Sequence, residues 1–424
     1  MTVKDVILAV AIMLGAGLVC QLVADVIRVP RMLVLLAAGA LLGSSVSGAI
    51  DVKLDSIGAQ LVLTLGVSFI LFHGGLQLST RVLGQVAVGL GMLAVPGVVL
   101  TALVTGLVAA AVFNLPLMSG LLIGAVLSPT DPAILIPLFE HLGLRPKVSQ
   151  TIIAESALND PTGAVLALSI AGVVLSGGAS LIGPLREFII DLAISTALGV
   201  VFGVVLAAAV SSRRAGIWRE SSAIAVMAVI SAGYFSIDSA GGSGYLGAFL
   251  AGLIVGNMER LGLAMHSHHE RDLRVVVATV ADVMVMFVFI TLGANLPWSE
   301  IADQLGPALA VIAALILVAR PLTVLACLLP DRRGAWSREE VVFLSWTRET
   351  GVVPAALAGI MVGLGVPNSE LIVTTVALAI IVTLAVQSTT KRWLARRLRL
   401  IEVIIPPTQS LPPDPASTAG ATAR

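Results

Sequence analysis

The chain has 424 residues, 57% of them hydrophobic and only 12% charged, with 25 basic and 25 acidic side chains and a mean hydropathy of +1.03. Soluble domains carry roughly 25% charged residues, so this composition excludes a soluble globular protein and indicates an all-α polytopic membrane protein embedded in a lipid bilayer. A net charge of zero gives no basis for nucleic-acid binding. Cys20 and Cys327 both sit in apolar segments and read as small buried side chains, not as a disulfide or a metal site.

Apolar blocks of about 20 residues recur along the chain, each long enough as a helix to cross a ~30 Å hydrocarbon core. The start, MTVKDVILAV, lacks a basic n-region and a cleavage site, so the first block is expected to be a retained helix. Thirteen spans are predicted: Val6–Val26, Met32–Val46, Leu54–Leu78, Leu83–Phe113, Leu117–Phe139, Val148–Leu175, Phe188–Val210, Ser221–Phe235, Tyr245–Asn257, Val275–Leu296, Pro307–Leu329, Glu340–Leu364 and Leu371–Thr390. With that count the loop charges from Arg28 to Arg338, and Lys391 to Arg399 after the last span, fall on one side. Only Lys4, Lys53 and Arg186 fall on the other. The bias places the N-terminus outside and the C-terminus in the cytoplasm of a cell membrane, and the compact length points to a bacterial source. The tail after Ile405, rich in Pro, Ser, Thr and Ala, is expected to be disordered and too short for a regulatory domain.

The third span ends in ILFHGGLQLS, where His73 reads either as a group facing a transport path or as a hydrogen-bonded structural residue. The fifth contains AVLSPTDPAIL. Prolines 129 and 132 flank Thr130 and Asp131, remove two backbone donors and predict an unwound middle facing a polar cavity. Asp131 then either lines that cavity or caps the second half-helix, and the two roles are compatible.

The sixth span holds ESALNDPTG. Ser156 and Asp160 share one face, four residues apart, and a carboxylate with a hydroxyl is a hard-oxygen set suited to a small alkali cation. Asn159 can donate to a second carboxylate such as Asp131. Glu155 needs a partner, and Arg320 in the eleventh span is the most economical one, a structural ion pair rather than a transporting group. Asp160 itself reads as an ion-path acid, against the bland alternative of a hydrogen-bonded structural acid.

Asp282 in the tenth span has no evident role beyond a helix–helix hydrogen bond. The segment HSHHERD, with His266, His268 and His269, reads as a solvated loop, with metal binding or pH sensing as the alternative. In the twelfth span, WTRETGVVPAAL, Gly351 and Pro354 interrupt a helix just after Arg348 and Glu349. Interrupted spans seven apart, the fifth and the twelfth, are the pattern of an inverted repeat with crossing half-helices.

SPTDP followed by ESALNDPTG, then ARPL and WTRETGVVPAAL, resembles the NhaP-type sodium/proton antiporters of the monovalent cation:proton antiporter-1 family, over about residues 1–400. RVPRMLVLLAAGALLG also looks like that family's second helix. The resemblance implies an NhaA-like antiporter fold in two parts. Residues 1–82 and 215–298 would form a dimer domain, 83–176 and 299–395 a moving core, 177–214 a linker helix, and 396–424 a short disordered cytoplasmic tail. Carried over, Asp160 would bind cation and proton in turn, with Ser156 and the Thr130 carbonyl as further ligands. Asp131 would line the site, Asn159 would support it, Glu155 would pair with Arg320, and Arg348 would stabilise the broken twelfth helix. Relatives often carry an acid where His73 stands, so this chain has one negative charge fewer there.

The expected activity is electroneutral exchange of one proton for one Na⁺ or Li⁺ by an elevator-like movement of the core in a homodimer, with no cofactor and no enzyme chemistry. An aspartate in the bilayer that is either protonated or holding a cation is neutral in both forms, whereas the bare carboxylate is too costly to move. K⁺/H⁺ exchange needs the same oxygen ligands and remains open. An intramembrane aspartyl protease using Asp131 and Asp160 as a dyad, or a channel, are the readings from other classes.

Overall fold

The computed structural model describes residues 3–79, 87–131, 144–177, 182–212, 216–331 and 334–401. The expected second half of the fifth span, including Pro132, lies outside these residues, as do Arg81, Arg213, Arg214, Arg332, Arg333 and the tail beyond residue 401. The described chain is helical, and its only β pairings are isolated bridges at Gly43–Ile50 and Leu144–Ile401.

In chain order the helices are α1 (Val3–Ile27), α2 (Arg31–Leu42), α3 (Ile57–Gln77), α4 (Ala87–Ala94), α5 (Pro96–Val112), α6 (Leu117–Val126), α7 (Pro146–Leu175) and α8 (Ile182–Val210). Then follow α9 (Ser222–Ser239), α10 (Gly244–Gly256), α11 (Ser267–Ala294), α12 (Trp298–Ala314), α13 (Arg320–Leu328), α14 (Arg338–Trp346), α15 (Val352–Gly363), α16 (Ser369–Val382) and α17 (Ser388–Arg397). Wider π turns at Leu315–Ala319 and Thr383–Gln387 join α12 to α13 and α16 to α17. Among the described residues nine helices are long and apolar enough to cross a membrane, and four shorter apolar helices accompany them.

Helices α1–α3 pack with α9–α11, and α4–α7 pack with α12–α17, while α8 lies against α7, α9 and α10. Helix α15 touches both α3 and α11, and α7 touches α3 and α10, so the two groups meet along the helices that carry the polar motifs.

Several expectations need correction. Pro307 does not open the eleventh span; it lies inside α12, which begins at Trp298. Pro354 does not interrupt the twelfth: it sits in the first turn of α15, where a missing amide hydrogen costs no helical bond. The histidine segment is not a loop, because from Ser267 it is the first turn of α11, where His268 pairs with Asp272 at 2.9 Å. No group of three or more metal-ligating side chains occurs among the described residues. The last helix runs on past the expected end at Thr390 to Arg397, which draws Lys391 inside. Residues 396–401, expected to be disordered, are folded: the Arg145 amide donates to the Leu400 carbonyl at 3.0 Å, and Leu400 is buried.

Candidate ion-binding site

The site is built where two interrupted helices meet. Helix α6 ends at Val126, the Ser128 amide closes a last tight turn on the Ala125 carbonyl at 3.1 Å, and the chain runs on through Pro129, Thr130 and Asp131 outside any helix. Helix α14 ends at Trp346, and α15 starts at Val352, leaving Thr347–Gly351 as the second break. All of these break residues are buried.

Each break is closed by the other. Arg348 Nη2 donates to the Leu127 carbonyl at 2.9 Å and to the Ser128 carbonyl at 2.7 Å, at the C-terminal end of α6. Asp131 Oδ2 accepts from the Val352 amide at 3.2 Å, at the N-terminal end of α15. The Asp131 amide donates to the Glu349 carbonyl at 3.0 Å, so the two extended segments are also joined through the backbone. A cation thus sits at a helix C-terminus and an anion at a helix N-terminus, the signs that the two helix dipoles favour. Asp131 thus caps the second half-helix of the twelfth span, while its expected role at the second half of the fifth lies outside the described residues. Gly351 makes the close approach possible, since a methyl group there would overlap Asp131 Cβ, Cγ and Oδ2.

Helix α7 supplies the third wall. Asn159 Oδ1 accepts from the Thr130 amide at 3.1 Å, and Asn159 Nδ2 donates to Thr130 Oγ1 at 2.8 Å. Asn159 therefore steadies Thr130, rather than donating to Asp131 as the sequence suggested. Thr130 Oγ1 lies 2.9 Å from Ser156 Oγ. Gly163, further along α7, lets Pro129 and Ser128 rest directly on the helix. Pro161 lies inside α7 and offers no amide hydrogen to the Ala157 carbonyl one turn earlier.

Asp160 is 8% exposed, and its Oδ1 has no hydrogen-bond partner among the described residues. Its carboxyl group lies within electrostatic reach of Asp131 and the Thr130 amide. A buried carboxylate oxygen left open, one helical turn from Ser156 and within reach of the Thr130 backbone, is a candidate ligand for a hard cation or a seat for a proton.

Glu155 and Arg320 form a two-pronged pair: Arg320 Nη2 donates to Glu155 Oε2 at 2.9 Å and Arg320 Nη1 donates to Oε1. Arg320 Nε donates to the Leu344 carbonyl at 3.0 Å, which ties α13 to the end of α14. His73 is placed differently. It is half-buried on α3, its Nε2 lies 2.9 Å from Gln77 Nε2, and its charged neighbours are Asp282 and Arg274 of α11. The hydrogen bonds that join Thr130, Asn159 and Ser156 do not include it. Asp282 is exposed and faces this histidine.

Sequence reasoning missed a polar stripe on the last helix. Thr383 Oγ1 accepts from the Thr350 amide at 3.1 Å, and Gln387 Nε2 donates to the Trp346 carbonyl at 2.7 Å. Lys391 Nζ donates to Glu349 Oε1, with both side chains fully buried. The signal was present as Thr383, Gln387 and Lys391 at four-residue spacing, one face of a helix.

The model of the family described as the transmembrane sodium/hydrogen exchanger matches residues 10–397. The chain belongs to that family, as a cation:proton antiporter of the NhaP type. It is similar to the K(+)/H(+) antiporter NhaP of Alkalimonas amylolytica, with 31% identity over 93% of this chain and 67% of that one. It is likewise similar to the K(+)/H(+) antiporter NhaP2 of Shewanella oneidensis, with 31% identity over 89% of this chain and 64% of the other. The chain thus spans about two thirds of the length of these relatives. A probable Na(+)/H(+) antiporter 2 of Methanocaldococcus jannaschii is 27% identical over 83% of both chains. The structure of the sodium proton antiporter MjNhaP1 from the same organism superposes with a TM-score of 0.80 at 24% identity, covering 94% of this chain and all of that one, and shows the shared fold. Family and fold are those of transporters, not of enzymes.

Proposed function

We propose that this protein exchanges one monovalent alkali cation for one proton across a cell membrane, with Asp160 as the group that carries both in turn. The observation that carries this reading is the buried, open Oδ1 of Asp160, on α7 one turn beyond Ser156, whose Oγ lies 2.9 Å from Thr130 Oγ1. The Thr130 carbonyl and these hydroxyls complete the cation's shell, while Asn159 holds Thr130 in place. Asp131 and Arg348 keep the two breaks open without binding the ion. Because each passage carries either a proton or one cation, exchange is electroneutral. We further propose thirteen crossings with the C-terminus in the cytoplasm, a homodimer formed through the group α1–α3 and α9–α11, and an elevator movement of the group α4–α7 and α12–α17.

Na⁺ or Li⁺ is one cargo; K⁺ is the second, favoured by relatives whose names specify K⁺/H⁺ exchange. The purified protein in proteoliposomes, given gradients of Na⁺, Li⁺ and K⁺ in parallel, decides between them through an internal pH dye. A cation gradient that drives no proton movement with any of the three refutes the reading. So does exchange that follows an imposed voltage, for the electroneutral part of it.

A further inference from the structure

The Glu349–Lys391 pair lies next to the ion site and takes no part in the coordination described above. Both side chains are fully buried, and the Glu349 carbonyl receives the Asp131 amide. The pair therefore belongs to the same buried body as Asp160, and its charge counts in that body's balance.

Within the membrane-spanning helices and their breaks, the buried acidic and basic side chains among the described residues are four carboxylates, Asp131, Glu155, Asp160 and Glu349, and three cations, Arg320, Arg348 and Lys391. Two further buried acids lie at the helix ends outside this set: Asp331 caps a turn, and Glu340 pairs with Lys147 at 2.8 Å. Among these described residues, four negative against three positive charges leave one uncompensated, and a single proton or a single alkali ion cancels it. Remove Lys391 and two charges are left over; remove the Glu349 charge and none is. Burying an unmatched charge costs several kcal/mol, so the balance decides which loaded forms can cross.

We propose that Lys391 holds exchange to one positive charge per passage by cancelling Glu349, a role that rests on the exchange reading above. Lys391 touches neither ion nor proton; it acts through Glu349 as a positioning residue. The charged groups around the pair are Arg348 on the same break, Asp131 joined to the Glu349 backbone, and Arg320 with Glu155 from α13 and α7.

The test is the pH profile of cation-driven proton flux in proteoliposomes for Lys391→Met, Glu349→Gln, the double variant and Lys391→Arg. In Lys391→Met the carboxyl group of Glu349 must take up a proton before the core is balanced, so activity is confined to lower pH. Its alkaline limb moves down by about one pH unit or more. In Glu349→Gln the ammonium of Lys391 must give up its proton, so the acid limb moves up by a similar amount. The double variant returns the wild-type profile, and Lys391→Arg keeps it. A merely structural pair would lower yield and rate without opposite shifts. Single variants that shift together or not at all, or a double variant that exchanges no better than either, overturn the proposal. Should the single variants fail to accumulate, the double variant decides alone: accumulation with the wild-type profile supports the assignment, and a displaced profile or failure to accumulate overturns it. Wild-type protein without coupled flux refutes the exchange reading itself, and this assignment falls with it.

Discussion

Arg348 and Asp131 each close the helix that the other's chain segment has left open. Arg348 reaches the last carbonyls of α6, at 2.9 and 2.7 Å, and Asp131 reaches the first amide of α15 at 3.2 Å. Neither break could stay dry alone, because unpaired backbone groups in hydrocarbon cost several kcal/mol each. The crossing is a reciprocal arrangement, and its failure on one side is felt on the other.

Arg348→Ala is therefore expected to leave the Leu127 and Ser128 carbonyls without this donor. Cation-driven proton flux should fall at least about tenfold, and the purified protein should melt at a lower temperature in detergent. Arg348→Lys, with a charge but one donor centre, should recover part of the loss. Wild-type flux and melting in Arg348→Ala would remove the reciprocal-capping account.

Gly351→Ala should be as damaging as a charge substitution, though it adds a single methyl group. That methyl overlaps the Asp131 side chain, so either Asp131 leaves the Val352 amide or the break shifts. Loss of exchange, measured beside an Ala substitution at the exposed Gly172, checks that the effect belongs to the site.

Asp160→Asn should abolish exchange while the protein accumulates and melts as the wild type does. The open Oδ1 makes no bond that the substitution would break. An amide can neither ionise to hold a cation nor carry the proton back. Retained exchange would exclude Asp160 as the carrier.

In the proposed exchange proton and cation compete for one carboxylate, so acidifying the side from which the cation enters should raise its apparent KM with Vmax unchanged. In the range where the site is mostly protonated, the rise is about tenfold per pH unit. The sign is fixed: more protons, weaker apparent cation binding. A KM indifferent to pH would separate the two sites.

Glu155→Gln should destabilise the fold by about 3–5 kcal/mol, since it strands the guanidinium of Arg320 in a dry interior. Replacing both residues with apolar ones should recover most of this. The recovery is incomplete, because the Leu344 carbonyl loses the Nε donor of Arg320 at 3.0 Å, worth roughly 1–3 kcal/mol. Thermal melting of the single and double variants measures the difference.

Both breaks were legible in the sequence because their signal is local: Pro129 with Pro132 closely flanking Thr130 and Asp131, and Gly351 just after two charged residues, disfavour a continuous helix. The partner of Glu155 was legible by scarcity, since few cations lie within spans. The reciprocal caps were not, because Arg348 and Leu127 are more than two hundred residues apart and nothing local links them. Asn159 pointed to the wrong partner for the same reason: four-residue spacing fixes the face of α7 but not what is laid against it. Lys391 was hidden by its position near the end of a span, where a lysine looks like an ordinary loop charge. Pro307 misled in the opposite direction, since a helix can run through a proline when its neighbours hold it.

The last helix supplies an acceptor to the Thr350 amide, a donor to the Trp346 carbonyl and a counter-charge to Glu349, all from one face. The opened segment of the twelfth span is thus held at three points by a single neighbour. These three contacts clamp the opened segment to one helix face, so a change in the pitch of the last helix would be felt at the twelfth-span break before it reached Asp160.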